Sequence, residues 1–153
     1  MSDYERRINP QPTEADTEAI KQEFANKSQQ ENIMTLPTDS QERKNFPLAS
    51  GCLNYFPAAI AGVAKVSKLG NDKHNPGEPM HHARGKSSDH ADCILRHLVD
   101  TQDLLAAYTR KTTDVAPEQV LLEASQLAWR ALAFSQELHE MLTNIPMAPG
   151  AKK

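Results

Sequence analysis

SSDHADCILRHLVDTQDLLAAY, residues 87–108, contains no proline or glycine and repeats its apolar side chains at helical intervals. Ala91, Ile94, Leu95, Leu98, Gln102 and Leu105 trace one stripe at spacings of three and four, with a single polar interruption, and predict the buried face of a helix. Ser87 or Ser88 is placed to cap it. Asp89 falls in the first turn, where a negative charge suits the helix dipole.

The flanking sequence reads the same way. PAAIAGVAKVSKLG, residues 57–70, opens on proline and closes on glycine, the usual asymmetry of a helix. Ile60, Val63, Ala64 and Ser67 mark its inner face, with Val66 and Leu69 beside it. A third helix is expected from Pro117, capped by Asp114, to about Leu142. Its Val120, Leu121, Ala124, Leu127, Ala128, Ala131, Leu132 and Leu138 pack it on more than one side, and the small residues at 124, 128 and 131 admit a close neighbour. Strand signals are weak. The fold class is therefore all-α: a helical bundle of about three main helices. Three helices with only eight aromatic residues make a thin core for 153 residues, so a homo-oligomer is expected.

Charge divides the chain into zones. Residues 1–42 carry nine acids and four bases, a net of −5, with few large apolar side chains. This reads as an acidic, mobile N-terminal arm, with a short helix around 14–26, because it buries too little surface to offset chain entropy. Residues 43–97 carry eight bases and four acids, a net of +4, and five of the six histidines. Residues 98–153 return to −2, and 143–153 read as a flexible tail. A net charge of −3 argues against binding a nucleic acid polymer, since no global positive field attracts a phosphate backbone. The chain has no apolar run long enough to span a membrane and no secretory leader at its N-terminus. Two cysteines make no disulfide framework, so a cytoplasmic location is expected.

Two features carry chemistry. The loop GNDKHNPGEPMHHARGK, residues 70–86, is rich in Gly, Pro and His and brings together Lys73, His74, Arg84 and Lys86, donors suited to phosphate oxygens. It runs into a helix face that carries Asp89, Asp92, Arg96 and Asp100 at i, i+3, i+7 and i+11. Carboxylates one turn apart suit a hard cation that is shared with substrate phosphates. On spacing alone, an ordinary surface ion pair of Asp92 with Arg96 is the simpler reading. His90, Cys93 and His97 share another face. Their spacing fits core or interface histidines better than a zinc site. Glu123 and Gln126 lie one turn apart on the third helix. Trp129 is most simply core, although its ring could wall a base pocket.

Taken together, RKNFPL (43–48), LNYFP (53–57), KVSKLGNDKHNPGEP (65–79), DHADCILRHL (89–98) and LAWRALAF (127–134) resemble the phage dATP/dGTP diphosphohydrolase N-terminal domain family, which includes the MazZ-type enzymes and is related to MazG-like all-α pyrophosphohydrolases. The resemblance covers about residues 43–140. It implies a nucleotide-binding domain over 43–142 that cuts a purine deoxynucleoside triphosphate to monophosphate and pyrophosphate with Mg²⁺ (or Mn²⁺), in the host cytoplasm if phage-encoded. MazG-like enzymes hold metal with an ExxE…ExxD quartet that this sequence lacks. The nearest analogues make Asp89, Asp92 and Glu123 the expected metal ligands. Lys73, His74, Arg84, Lys86 and Arg96 become the phosphate-facing cations, and His90 or His97 the proton carrier. Two other classes stay open: a non-catalytic phage protein that sequesters a signalling nucleotide, and a small helical adaptor.

Overall fold

The computed structural model describes residues 13, 15–19, 21, 34–143 and 145–153. The chain divides into two units, 1–33 and 34–153, each described by itself. In the first, residues 15–19 and 21 are helical. Thr13 and Asp16 cap this turn reciprocally: the Asp16 carboxylate accepts from the Thr13 N–H at 2.9 Å, and Thr13 Oγ1 accepts from the Asp16 N–H at 3.2 Å. The hydrogen bonds from Thr13 hold the Asp16 carboxyl below its ordinary value. The rest of the acidic arm up to residue 33 lies outside the described residues. Residues 34–42, which the sequence assigns to the arm, belong to the second unit. There Asp39 caps the helical turn Ser40–Arg43 by accepting from the Gln41 and Glu42 N–H groups.

Three long helices build the second unit: α1 (Pro57–His74), α2 (His90–Arg110) and α3 (Pro117–Leu142). A π-helical turn, Ala49–Leu53, precedes α1. Proline opens both α1 and α3, where its missing N–H costs nothing. α1 continues through Gly70 to His74 instead of ending at the glycine. Asp89 is the N-cap of α2, and Lys111, at φ 53°, terminates it in the left-handed region. Ala116, not Asp114, caps α3, with its N–H donating to Gln119 Oε1 at 2.9 Å.

α3 is the central helix and packs against both α1 and α2. Gly62 of α1 lies beside Ser125, and Ser67 accepts from Trp129 Nε1 at 2.9 Å, so α1 and α3 run parallel. His97 of α2 meets Glu123 while His90 meets Glu137, so α2 and α3 run antiparallel. The chain's last residues return to the body. β2 (Ala151–Lys152) pairs in parallel with β1 (His82–Ala83), with His82 opposite Ala151. Residues 143–153, read from sequence as a loose tail, are thus tied down among the described residues by this ladder and by Ala148 N–H donating to Glu140 at 2.9 Å.

Helix faces depart from the sequence reading. On α2 the side turned to α3 carries His90, Cys93, Ile94, His97, Thr101 and Leu104, which are buried or half-buried. Of the stripe expected to be buried, only Ile94 is on that side. Ala91, Leu95, Leu98, Gln102 and Leu105 are exposed. The reason is physical: the α2–α3 seam is polar, with His90 on Glu137 and His97 on Glu123, and the apolar stripe is left facing outward. Among the described residues only Cys93 and Ala133 are buried apolar side chains, joined by the polar Asn71 and His90.

Candidate metal centre

Two His–Glu contacts cross the α2–α3 seam, His90 to Glu137 and His97 to Glu123. At one end, His97 Nδ1 lies 2.8 Å from Glu123 Oε2, both side chains about a quarter exposed. Asp100, one turn on from His97, joins them. One ligand atom from each of His97, Asp100 and Glu123 falls within 4.8 Å of the others. Among the described residues this is the group of three or more His, Cys, Asp or Glu side chains close enough to hold one metal ion. The helices explain it. His97 and Asp100 are one turn apart on α2, and α3 delivers Glu123 from across the seam. The hydrogen bond fixes the imidazole against Glu123, so both present themselves in a set orientation. Asp100 is exposed and opens onto a shallow groove of about 370 Å³ shared with Asp92, Leu95, Arg96 and Val99.

The expected ligand set is only partly assembled. Glu123 belongs to the group, but Asp89 and Asp92 do not. Both oxygens of Asp89 are engaged: one accepts from Ser87 Oγ at 2.9 Å, the other from Arg96 at 2.7 Å and from the Cys93 thiol. The Arg96 bond, helped by those from Ser87 and Cys93, holds the Asp89 carboxyl far below the usual carboxylate range. It acts as the anchor of Arg96, not as a vacant ligand. Asp92 is exposed and lies on the groove beside Asp100. The residue that sequence reasoning missed as a ligand is Asp100. Its signal was present: His97 and Asp100 at i, i+3 mirror Glu123 and Gln126.

The cations of the loop gather elsewhere. Arg84 donates to Glu140 at 2.7 Å and reaches Glu137 at 3.5 Å, with only 13 % of its side chain exposed. Glu137 is fourteen residues beyond Glu123, about 21 Å along α3, so Arg84 sits at the opposite end of the bundle. It serves as a strut. Lys73 and His74 are exposed in the last turn of α1, which runs parallel to α3, and so lie toward that same far end. Lys86 is exposed just before Ser87, whose hydroxyl accepts from Arg130 at 3.3 Å. Of the five expected phosphate-facing cations, Arg96 is the one that lines the groove with Asp100.

The two candidate proton carriers also separate. His90 is buried, stacks on Phe134 with centroids 5.5 Å apart, and holds Glu137 Oε2 at 3.1 Å through Nε2. It is a core histidine of the far end, seven residues or about 10 Å along α2 from His97. His97 is at the metal group itself. Trp129 is turned to α1, with His82 edge-on at 5.0 Å.

No helix among the described residues is long and apolar enough to cross a membrane. In comparisons with family models, curated proteins and solved structures, the chain matches none.

Proposed function

We propose that the chain is a metal-dependent hydrolase that cuts a purine deoxynucleoside triphosphate (dATP or dGTP) to monophosphate and pyrophosphate, with His97, Asp100 and Glu123 as the metal ligands. The observation that supports it is the meeting of these three ligand atoms within 4.8 Å across two packed helices. The purine triphosphate rests on the sequence resemblance. One nitrogen and two carboxylates suit Mn²⁺ better than Mg²⁺, which favours an all-oxygen shell. A divalent ion supplies charge for phosphate oxygens and acidifies a bound water.

The chain's own groups do the rest. Glu123 orients the His97 ring. Asp100 faces the open groove, where a phosphate has room to approach. Arg96, held by Asp89 on the same groove, is a guanidinium suited to a phosphate oxygen. The test uses the purified full chain with each of the four dNTPs and Mn²⁺ or Mg²⁺, and chromatography for monophosphate. Turnover of dATP or dGTP that EDTA abolishes and that Asp100→Asn and Glu123→Gln remove is the expected result. Saturable nucleotide binding with no monophosphate from any substrate overturns hydrolysis and leaves a sequestering protein.

A further inference from the structure

α2 carries a mostly apolar arc that the described residues leave largely exposed. Leu105, Leu98, Ala91, Gln102, Leu95, Ala106 and Val99 span about 120° of its circumference. Leu95 is 59 % exposed, Val99 57 %, Leu105 44 % and Leu98 40 %. Beside the arc runs a charged flank of alternating sign: Asp92, Arg96, Asp103 and Arg110. With only two apolar residues buried among the described ones and no side chain less than 2 % exposed, three helices of this length lack a core able to hold them.

We propose that α2 pairs antiparallel with α2 of a second copy of this chain, about a two-fold axis level with residue 100. The arc is a heptad seam: Ala91, Leu95, Leu98, Gln102 and Leu105 alternate spacings of four and three. In an antiparallel pair this register sets Leu95 level with the partner's Leu105 and Leu98 level with the partner's Gln102. The same register brings Arg96 within one residue of level with the partner's Asp103, and Asp92 within two of the partner's Arg110. That offset is no more than about 3 Å along the axis, within reach of an arginine side chain. Among the registers that the heptad seam allows, this one also pairs the charges. The interface is isologous, as a closed dimer requires. The inference stands on the outer face of α2 and does not depend on the metal reading; in the pair Arg96 turns from Asp89 toward the partner, and the groove that Leu95 and Val99 line is then walled by the second copy.

Sedimentation equilibrium of the full chain gives the first measurement, with a dimer expected. Arg96→Glu and Asp103→Arg should each raise the dimer dissociation constant about tenfold or more, and the double exchange should recover most of that loss, with circular dichroism confirming that α2 is retained. Cysteine cross-linking leaves the flank intact. In a Cys52→Ser background, a mixture of L95C and L105C chains should cross-link to each other and neither should cross-link alone. A monomer at ~100 µM, a double exchange no better than its singles, or L95C cross-linking to itself overturns the proposal.

Discussion

His97 and Glu123 are joined by a 2.8 Å hydrogen bond across the α2–α3 seam, and Asp100 is the carboxylate that turns this pair into a group of three. The two candidate ligand sets on α2 make opposite predictions. Asp100→Asn should weaken Mn²⁺ binding by at least about 10–100-fold, the loss expected of even an outer-shell partner. Asp89→Asn should leave it unchanged, because that carboxylate is spent on Arg96 and Ser87. Titration calorimetry with Mn²⁺ reads both. The reverse ordering returns the site to Asp89 and Asp92.

Much of the fold was legible because helix ends are written locally. Pro57, Pro117 and Leu142 mark helix ends as read, whereas Asp89, read as a first-turn residue behind a Ser87 or Ser88 cap, is itself the N-cap of α2. Which face of a helix turns inward is not written locally. The stripe of α2 gives a correct helical period, but the side placed against α3 carries His90, His97 and Thr101. Periodicity identifies an apolar face without naming what covers it. The parallel pairing of two residues in β1 with two in β2 has no pattern to read, since its partners are some seventy residues apart. Glu123 was found because, with Gln126 one turn on, it is the nearest analogue of one half of the ExxE…ExxD quartet that the resemblance brings. Asp100 was seen on the Asp89 face and missed as a ligand, because its role depends on the side from which α3 approaches.

Arg84 is the tie between the loop and the end of α3. Glu140 Oε1 accepts from Arg84, Gln136 and the Ala148 N–H, and these bonds outweigh burial to hold its carboxyl below 4.5. Glu140 therefore contributes stability that is complete above pH 4.5 and is lost as pH falls below it. Arg84→Ala leaves partly buried carboxylates short of a cation and should cost about 1–3 kcal/mol, read by urea denaturation. Removing residues 148–153 deletes another donor to the same oxygen and the β2 strand. The two changes should be non-additive, since they share Glu140.

His82 offers a pH readout inside the molecule. Burial, with the Arg84 guanidinium 2.6 Å from Nδ1, holds its imidazole below the ordinary 6.5. Arginine has no acceptor, so Nδ1 must accept, and the ring is neutral with its proton on Nε2. The unfolded chain takes up a proton first. The contribution of His82 is therefore full above pH 6.5 and declines as pH falls below it. Trp129, the single tryptophan, has this ring edge-on at 5.0 Å. Its fluorescence should fall on acidification with a midpoint below 6.5, and His82→Gln should remove the step. A midpoint at or above 6.5 would show that the ring is not held as described.

Gly62 sets how closely α1 approaches α3. A Cβ added there would stand 2.4 Å from Ser125 Oγ and 3.3 Å from its Cβ. Ser125 Oγ is held in place by donating to the Leu121 carbonyl at 2.7 Å, so the hydroxyl does not swing aside freely. Two effects oppose each other in Gly62→Ala. Helix propensity favours alanine by about 1 kcal/mol, while overpacking costs about 1–3 kcal/mol. The clash is with an atom anchored to backbone, so overpacking should win and the variant should be destabilised. Ser125→Ala removes the clashing oxygen and leaves the 3.3 Å contact with Cβ, a gap that a small helix shift relieves. The double variant Gly62→Ala/Ser125→Ala should therefore recover the loss, with the propensity gain now expressed. Thermal denaturation of the three variants checks the sign of each step. A Gly62→Ala chain more stable than the parent by the full propensity gain, about 1 kcal/mol, would mean that α1 and α3 are not in contact at this point.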